Sequence, residues 1–123
     1  MKKNDNKNIL MDKAYAFSLE IIEIYKYLTY QKREYVMAKQ LLRSGTSIGA
    51  LIKEAKFAQS RKDFLHKMNI ALKEANETEY WLNLLMDSKY LNKNEFEKTK
   101  NEIQSLIKML ASTVKTTKQN LNQ

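Results

Sequence analysis

The chain of 123 residues has no cysteine, no proline, two glycines and a single histidine. Without cysteine there is no disulfide, thiolate metal site or cysteine nucleophile, and His66 alone cannot build a histidine-rich metal centre. Without proline, and with glycine so scarce, the turn chemistry of hairpins is nearly missing, which leaves long helices joined by short polar links. Long apolar runs are missing too. The stretch after the basic start carries Asp12, Lys13, Glu20 and Glu23, so neither a signal segment nor a membrane span is expected, and the chain reads as cytoplasmic. No glycine-rich phosphate loop or nucleophile motif occurs, so no constellation supplies a nucleophile, a base and an oxyanion stabiliser together. The expectation is a protein that is not an enzyme and needs no cofactor.

What is present is apolar periodicity. Hydrophobic residues make up 43% and charged residues 29%, a balance that supports a folded core in one domain over residues 1–123, with a basic tail at 1–8 and a frayed one at 116–123. Leu10, Ala14, Phe17, Ile21, Ile24 and Leu28 recur at steps of four and three, which places all six on one helix face. Ala38, Leu41, Gly45, Ile48, Ile52 and Ala55 do the same in a segment from about residue 34 to 58. A third seam runs through Phe64, Met68, Ala71, Ala75, Thr78, Leu82 and Leu85, opened by Ser60 as cap with Asp63 reaching back. The fourth, Phe96, Ile103, Leu106, Ile107, Leu110 and Val114, is opened by Asn92 and Glu95. Links this short cannot cross a bundle, so the predicted fold is all-α, an antiparallel up-down-up-down four-helix bundle.

Gly45 and Gly49 stand inside a helical pattern, where each costs about 1 kcal/mol relative to alanine. Such a cost implies a close approach to the backbone, and helix packing is favoured over a ligand groove. Ser44 and Ser47 flank them. Arg43, Ser47 and Glu54 form a further stripe read as a helix-packing or oligomer interface, and Tyr80 and Trp81 join it as aromatics beyond what a small core needs.

The net charge of +8 attracts polyanions, with nucleic acid the first candidate partner and a solvated lysine-rich surface the alternative. Lys53, Lys56, Arg61, Lys62 and Lys67 gather at the junction of the second and third helices and form the candidate phosphate-contacting patch. Asp63 and His66, one turn apart, have the spacing of one half of a di-metal bundle site, but the other half is missing and no metal site is expected. Glu74, Glu77 and Glu79 read as a polar strip rather than a catalytic pair.

Three stretches resemble a known family: residues 41–50 with Arg43-Ser-x-Thr-Ser-Ile48, residues 58–64 with Ser60-Arg-x-Asp-Phe64, and residues 69–82 with Ala71-Leu-Lys-Glu-Ala-x-Glu-Thr-x-Tyr-Trp-Leu82. Together they resemble the four-helix-bundle proteins encoded in 23S ribosomal RNA intervening sequences. The resemblance implies a bacterial homo-oligomer, pentameric like the related accessory protein of diversity-generating retroelements, with a basic surface that contacts RNA or DNA and a protein partner such as a reverse transcriptase. Leu51 and Lys53 depart from the family pattern, which has an asparagine and a small residue there. The competing expectation is a protein–protein adaptor whose charge is incidental.

Overall fold

This computed structural model describes the backbone of residues 2–122 and the side chains of residues 9–122. Four helices carry the chain: α1 (Lys2–Tyr30), α2 (Val36–Lys56), α3 (Arg61–Asp87) and α4 (Glu97–Leu121). No strand occurs among the described residues. The fold is the expected all-α four-helix bundle.

The predicted seams of α1 and α2 are buried at every position, and that of α3 at every position but half-buried Phe64. Full burial of each Leu, Ile or Phe contributes about 1.5–3 kcal/mol, so the seams are what holds the helices together. Helix directions follow from who meets whom. Gly45 packs on Ile21 while Gly49 packs on Met11, Ala14 and Ser18, so α2 runs antiparallel to α1. Arg43 reaches Glu74 and Glu77 while Glu54 reaches Lys67, so α3 runs antiparallel to α2. Tyr27 lies against Phe96, with ring centroids 6.0 Å apart, while Glu20 meets Thr99, so α4 is antiparallel to α1.

The helix ends show the local chemistry. Ser60 caps α3 by accepting from the Asp63 N–H at 3.0 Å, and Asp63 reaches back to the Gln59 N–H at 3.2 Å, one residue earlier than a standard capping box. Glu34 starts α2, its carboxylate accepting from the N–H groups of Val36 and Ala38. α3 ends with Lys89 in the left-handed region, φ 70°, while the Tyr90 and Lys89 N–H groups bond back to Leu85 and Met86 carbonyls, the Schellman pattern usually built on glycine.

Three sequence expectations need correction. Asn92 does not open the fourth helix: its Oδ1 accepts from the Asn94 and Glu95 N–H groups and closes a separate turn, and α4 starts at Glu97. A short polar side chain bonds as readily within a turn as at a helix cap, so the pattern alone does not distinguish them. The C-terminal stretch expected to fray from 116 is helical in the structure, where α4 continues to Leu121, with Thr113 and Thr117 bonded back to the carbonyls of Met109 and Thr113. The basic leader is helical in backbone from Lys2. Met1, Gln123 and the side chains of the leader lie outside the described residues.

Candidate nucleic-acid interface

The seam between α2 and α3 gathers most of the residues singled out by sequence. Ser44 is fully buried and its Oγ accepts from Thr78 Oγ1 at 3.0 Å, so two hydroxyls that would be costly alone satisfy one another across the seam. Ser47 Oγ donates to the Ser44 carbonyl. Gly45 sits tightly: a Cβ there would lie 3.0 Å from both Cγ atoms of fully buried Ile21, which would have to shift. Gly49 is looser, since its Cβ would meet only ordinary contacts at 3.6 Å or more. Both glycines therefore serve helix packing against α1, and no ligand groove is opened there.

Arg43 and Glu54, expected on a stripe offered to a neighbour, are engaged inside the chain. The Arg43 guanidinium bonds Glu74 at 3.1 Å and Glu77 more closely, and Glu54 pairs with Lys67 at 3.2 Å. Trp81 is half-buried, its Nε1–H donating to Glu77 at 2.9 Å, and Tyr80 stands edge-on to it with ring centroids 5.0 Å apart. Donors from Trp81 and Arg43 hold the Glu77 carboxyl below its ordinary pKa, and Glu77 in turn raises that of Arg43. Glu79 goes to Gln104 of α4. The glutamate strip is thus a set of inter-helix ties.

At the α2–α3 junction, Lys53, Lys56, Arg61 and Lys62 are exposed, and the fifth expected cation, Lys67, is half-buried against Glu54. Lys53 and Lys56 close α2, where positive charge suits the helix dipole. Arg61 and Lys62 occupy the first turn of α3, where positive charge opposes it. An anion bound between the two helix ends would relieve that opposition. Between these cations in the sequence comes Phe57, 72% exposed, with Lys56 Nζ 6.0 Å from its ring centre. His66 is exposed, and the carboxylate of Asp63 is taken by the Gln59 N–H.

A second cluster escaped the sequence reading. Between α1 and α4, Thr99 Oγ1 donates to Glu20 Oε1 at 2.7 Å, and Glu102 stands beside Glu20 with its Oε1 buried and without a donor. Burial, then the proximity of Glu20, pushes the Glu102 pKa up to about 7 against the pull of Lys98 and Lys13. Glu102 lines a cleft of about 550 Å³ together with Lys13, Glu95, Lys98 and Ser105. One signal was available: Thr99 falls four before Ile103 and seven before Leu106, on the buried seam.

The profile of the 23S rRNA-intervening sequence protein family matches residues 6–112. Among solved structures, the chain is similar to a protein with unknown function from the S23 ribosomal protein family of Bacteroides thetaiotaomicron, at 50% identity and a TM-score of 0.87, covering 89% of this chain and 98% of that one. No curated protein matches.

Proposed function

The chain belongs to the 23S rRNA-intervening sequence protein family, and from that footing we propose that it is a non-enzymatic accessory factor, a cytoplasmic homopentamer that binds RNA or DNA through a basic surface. The observation that carries the reading is the group Lys53, Lys56, Arg61 and Lys62, exposed at two helix ends in a chain of net charge +8. Phosphate contacts of this kind give affinity with little sequence discrimination. No helix among the described residues is long and apolar enough to cross a membrane. Assembly is supported by apolar side chains left outside the bundle, with Tyr80 57% and Leu19 52% exposed.

Anisotropy of labelled structured RNA and duplex DNA against nuclease-treated protein tests the reading. Affinity should be micromolar or tighter at low salt and fall linearly on a log–log plot as salt rises. Replacing Lys53, Lys56, Arg61 and Lys62 together should flatten that slope. Absence of binding at low salt overturns nucleic-acid recognition, and a monomer by light scattering at micromolar concentration overturns assembly. One observation favours a second reading, a protein adaptor that recruits a partner such as a reverse transcriptase: Tyr80 and Leu84 are exposed on α3 beside Trp81. Partners that survive nuclease digestion in a pull-down support that reading.

A further inference from the structure

The α2–α3 junction combines two features that phosphate binding alone does not require. Cations account for backbone neutralisation, but Phe57 is the largest apolar group in the patch and is 72% exposed, an arrangement that leaves a hydrophobic ring in water. It is not a misplaced core residue. The α2 seam ends at Ala55, and Phe57 follows Lys56 as the residue that closes the helix, its N–H bonded to the Glu54 carbonyl at 3.1 Å. The backbone there is set by helix termination, and the ring stands exposed with Lys56 beside it, in the stretch of chain that carries exposed Lys53, Arg61 and Lys62 on the two adjoining helix ends.

We propose that Phe57 is a stacking platform for an unpaired base, and that the exposed cations around it seize the phosphates on either side, so that the junction prefers single-stranded RNA or DNA to duplex. The proposal rests on the nucleic-acid reading above and names its ligand class.

Charge argues for this occupant over a second copy of the chain. A second copy carries the same net charge of +8 and brings no excess of negative charge, whereas a polynucleotide brings negative charge to the cations and an apolar face to the ring. An unpaired base offers that face freely, while in a duplex both faces are covered by stacking. Lys56, 6.0 Å from the ring centre, lies near enough to contact the phosphate of a nucleotide stacked there. The acidic groups nearby are occupied: Glu54 by Lys67, and Asp63 by the Gln59 N–H. They leave the cations facing solvent.

The test compares one oligonucleotide sequence as single strand and as blunt duplex, against wild type, Phe57→Ala and Phe57→Trp, by anisotropy at fixed salt. Base stacking on an aromatic is worth about 1–3 kcal/mol, so Phe57→Ala should weaken single-strand binding roughly tenfold. Duplex binding and the salt slope should stay as in wild type, and Phe57→Trp should retain single-strand affinity. Phe57 is exposed, so a thermal melt should show all three folding alike. Equal losses for single strand and duplex, or no loss with alanine, overturn the stacking role. If wild type binds neither form at low salt, the broader nucleic-acid reading fails instead.

Discussion

Two seams of the same bundle solve the problem of a half-buried glutamate in opposite ways. Between α2 and α3, Glu77 is surrounded by donors, the Arg43 guanidinium and the Trp81 indole, and its charged form is favoured. Between α1 and α4, Glu102 faces a second carboxylate with its Oε1 buried and undonated, and its neutral form is favoured. The first seam is held by paired polar groups, whereas the second borders an open cleft and carries a carboxyl that burial biases toward its protonated form.

The largest effect should come from filling the close approach of α2 to α1. Gly45→Leu drives a side chain into Ile21, and overpacking of this kind costs about 1–3 kcal/mol or more where the neighbour cannot move. Ile21 is fully buried and β-branched, so a thermal melt should show a shift at the top of that range or loss of the folded state. Next, Arg43→Ala should destabilise by about 1–2 kcal/mol, because Glu74 and Glu77 lose a charged donor in half-buried positions. Urea unfolding measures it, and Arg43→Lys should restore only part, since lysine lacks the fork that spans two carboxylates.

Smaller effects appear as pH dependence. Folding raises the Glu102 pKa, so the folded protein holds a proton that the unfolded chain releases, and this contribution is complete below about 4.5 and lost as pH rises through about 7. Melting temperature should therefore fall by more in wild type than in Glu102→Gln between pH 5 and 8. Glu77 has the opposite sign: its stabilisation is present above 4.5 and is lost as pH falls through its depressed folded value. Glu77→Gln should remove that acid-side loss. The smallest change is a gain, Gly49→Ala, where a methyl would meet only ordinary contacts at 3.6 Å or more and alanine keeps its helix advantage of up to about 1 kcal/mol. Were Gly45→Ala to stabilise as much as Gly49→Ala, the contrast between tight and loose glycines would fail.

The four seams were legible because burial of an amphipathic helix follows its period, and Leu10 through Leu28 show this without exception. Glycine in mid-helix correctly signalled close packing at position 45. What periodicity does not carry is the partner of each polar side chain. Arg43 and Glu54 lie on an outward stripe by spacing, yet adjacent α3 places Glu74, Glu77 and Lys67 within reach, so charges expected for a neighbour are spent inside the chain. The Glu20–Glu102 pair is separated widely in sequence and becomes a cluster only when α1 and α4 meet. Phe57 lay between recognised cations, but nothing in spacing told an exposed ring from one covering a helix end.

The junction of α2 and α3 is the proposed nucleic-acid surface. Hydrogen–deuterium exchange of the full chain, with and without a single-stranded oligonucleotide, tests that assignment. New protection should concentrate over residues 53–67, with the α1–α4 cleft unchanged. Protection confined to the cleft, or none at low salt with oligonucleotide in excess, would contradict it.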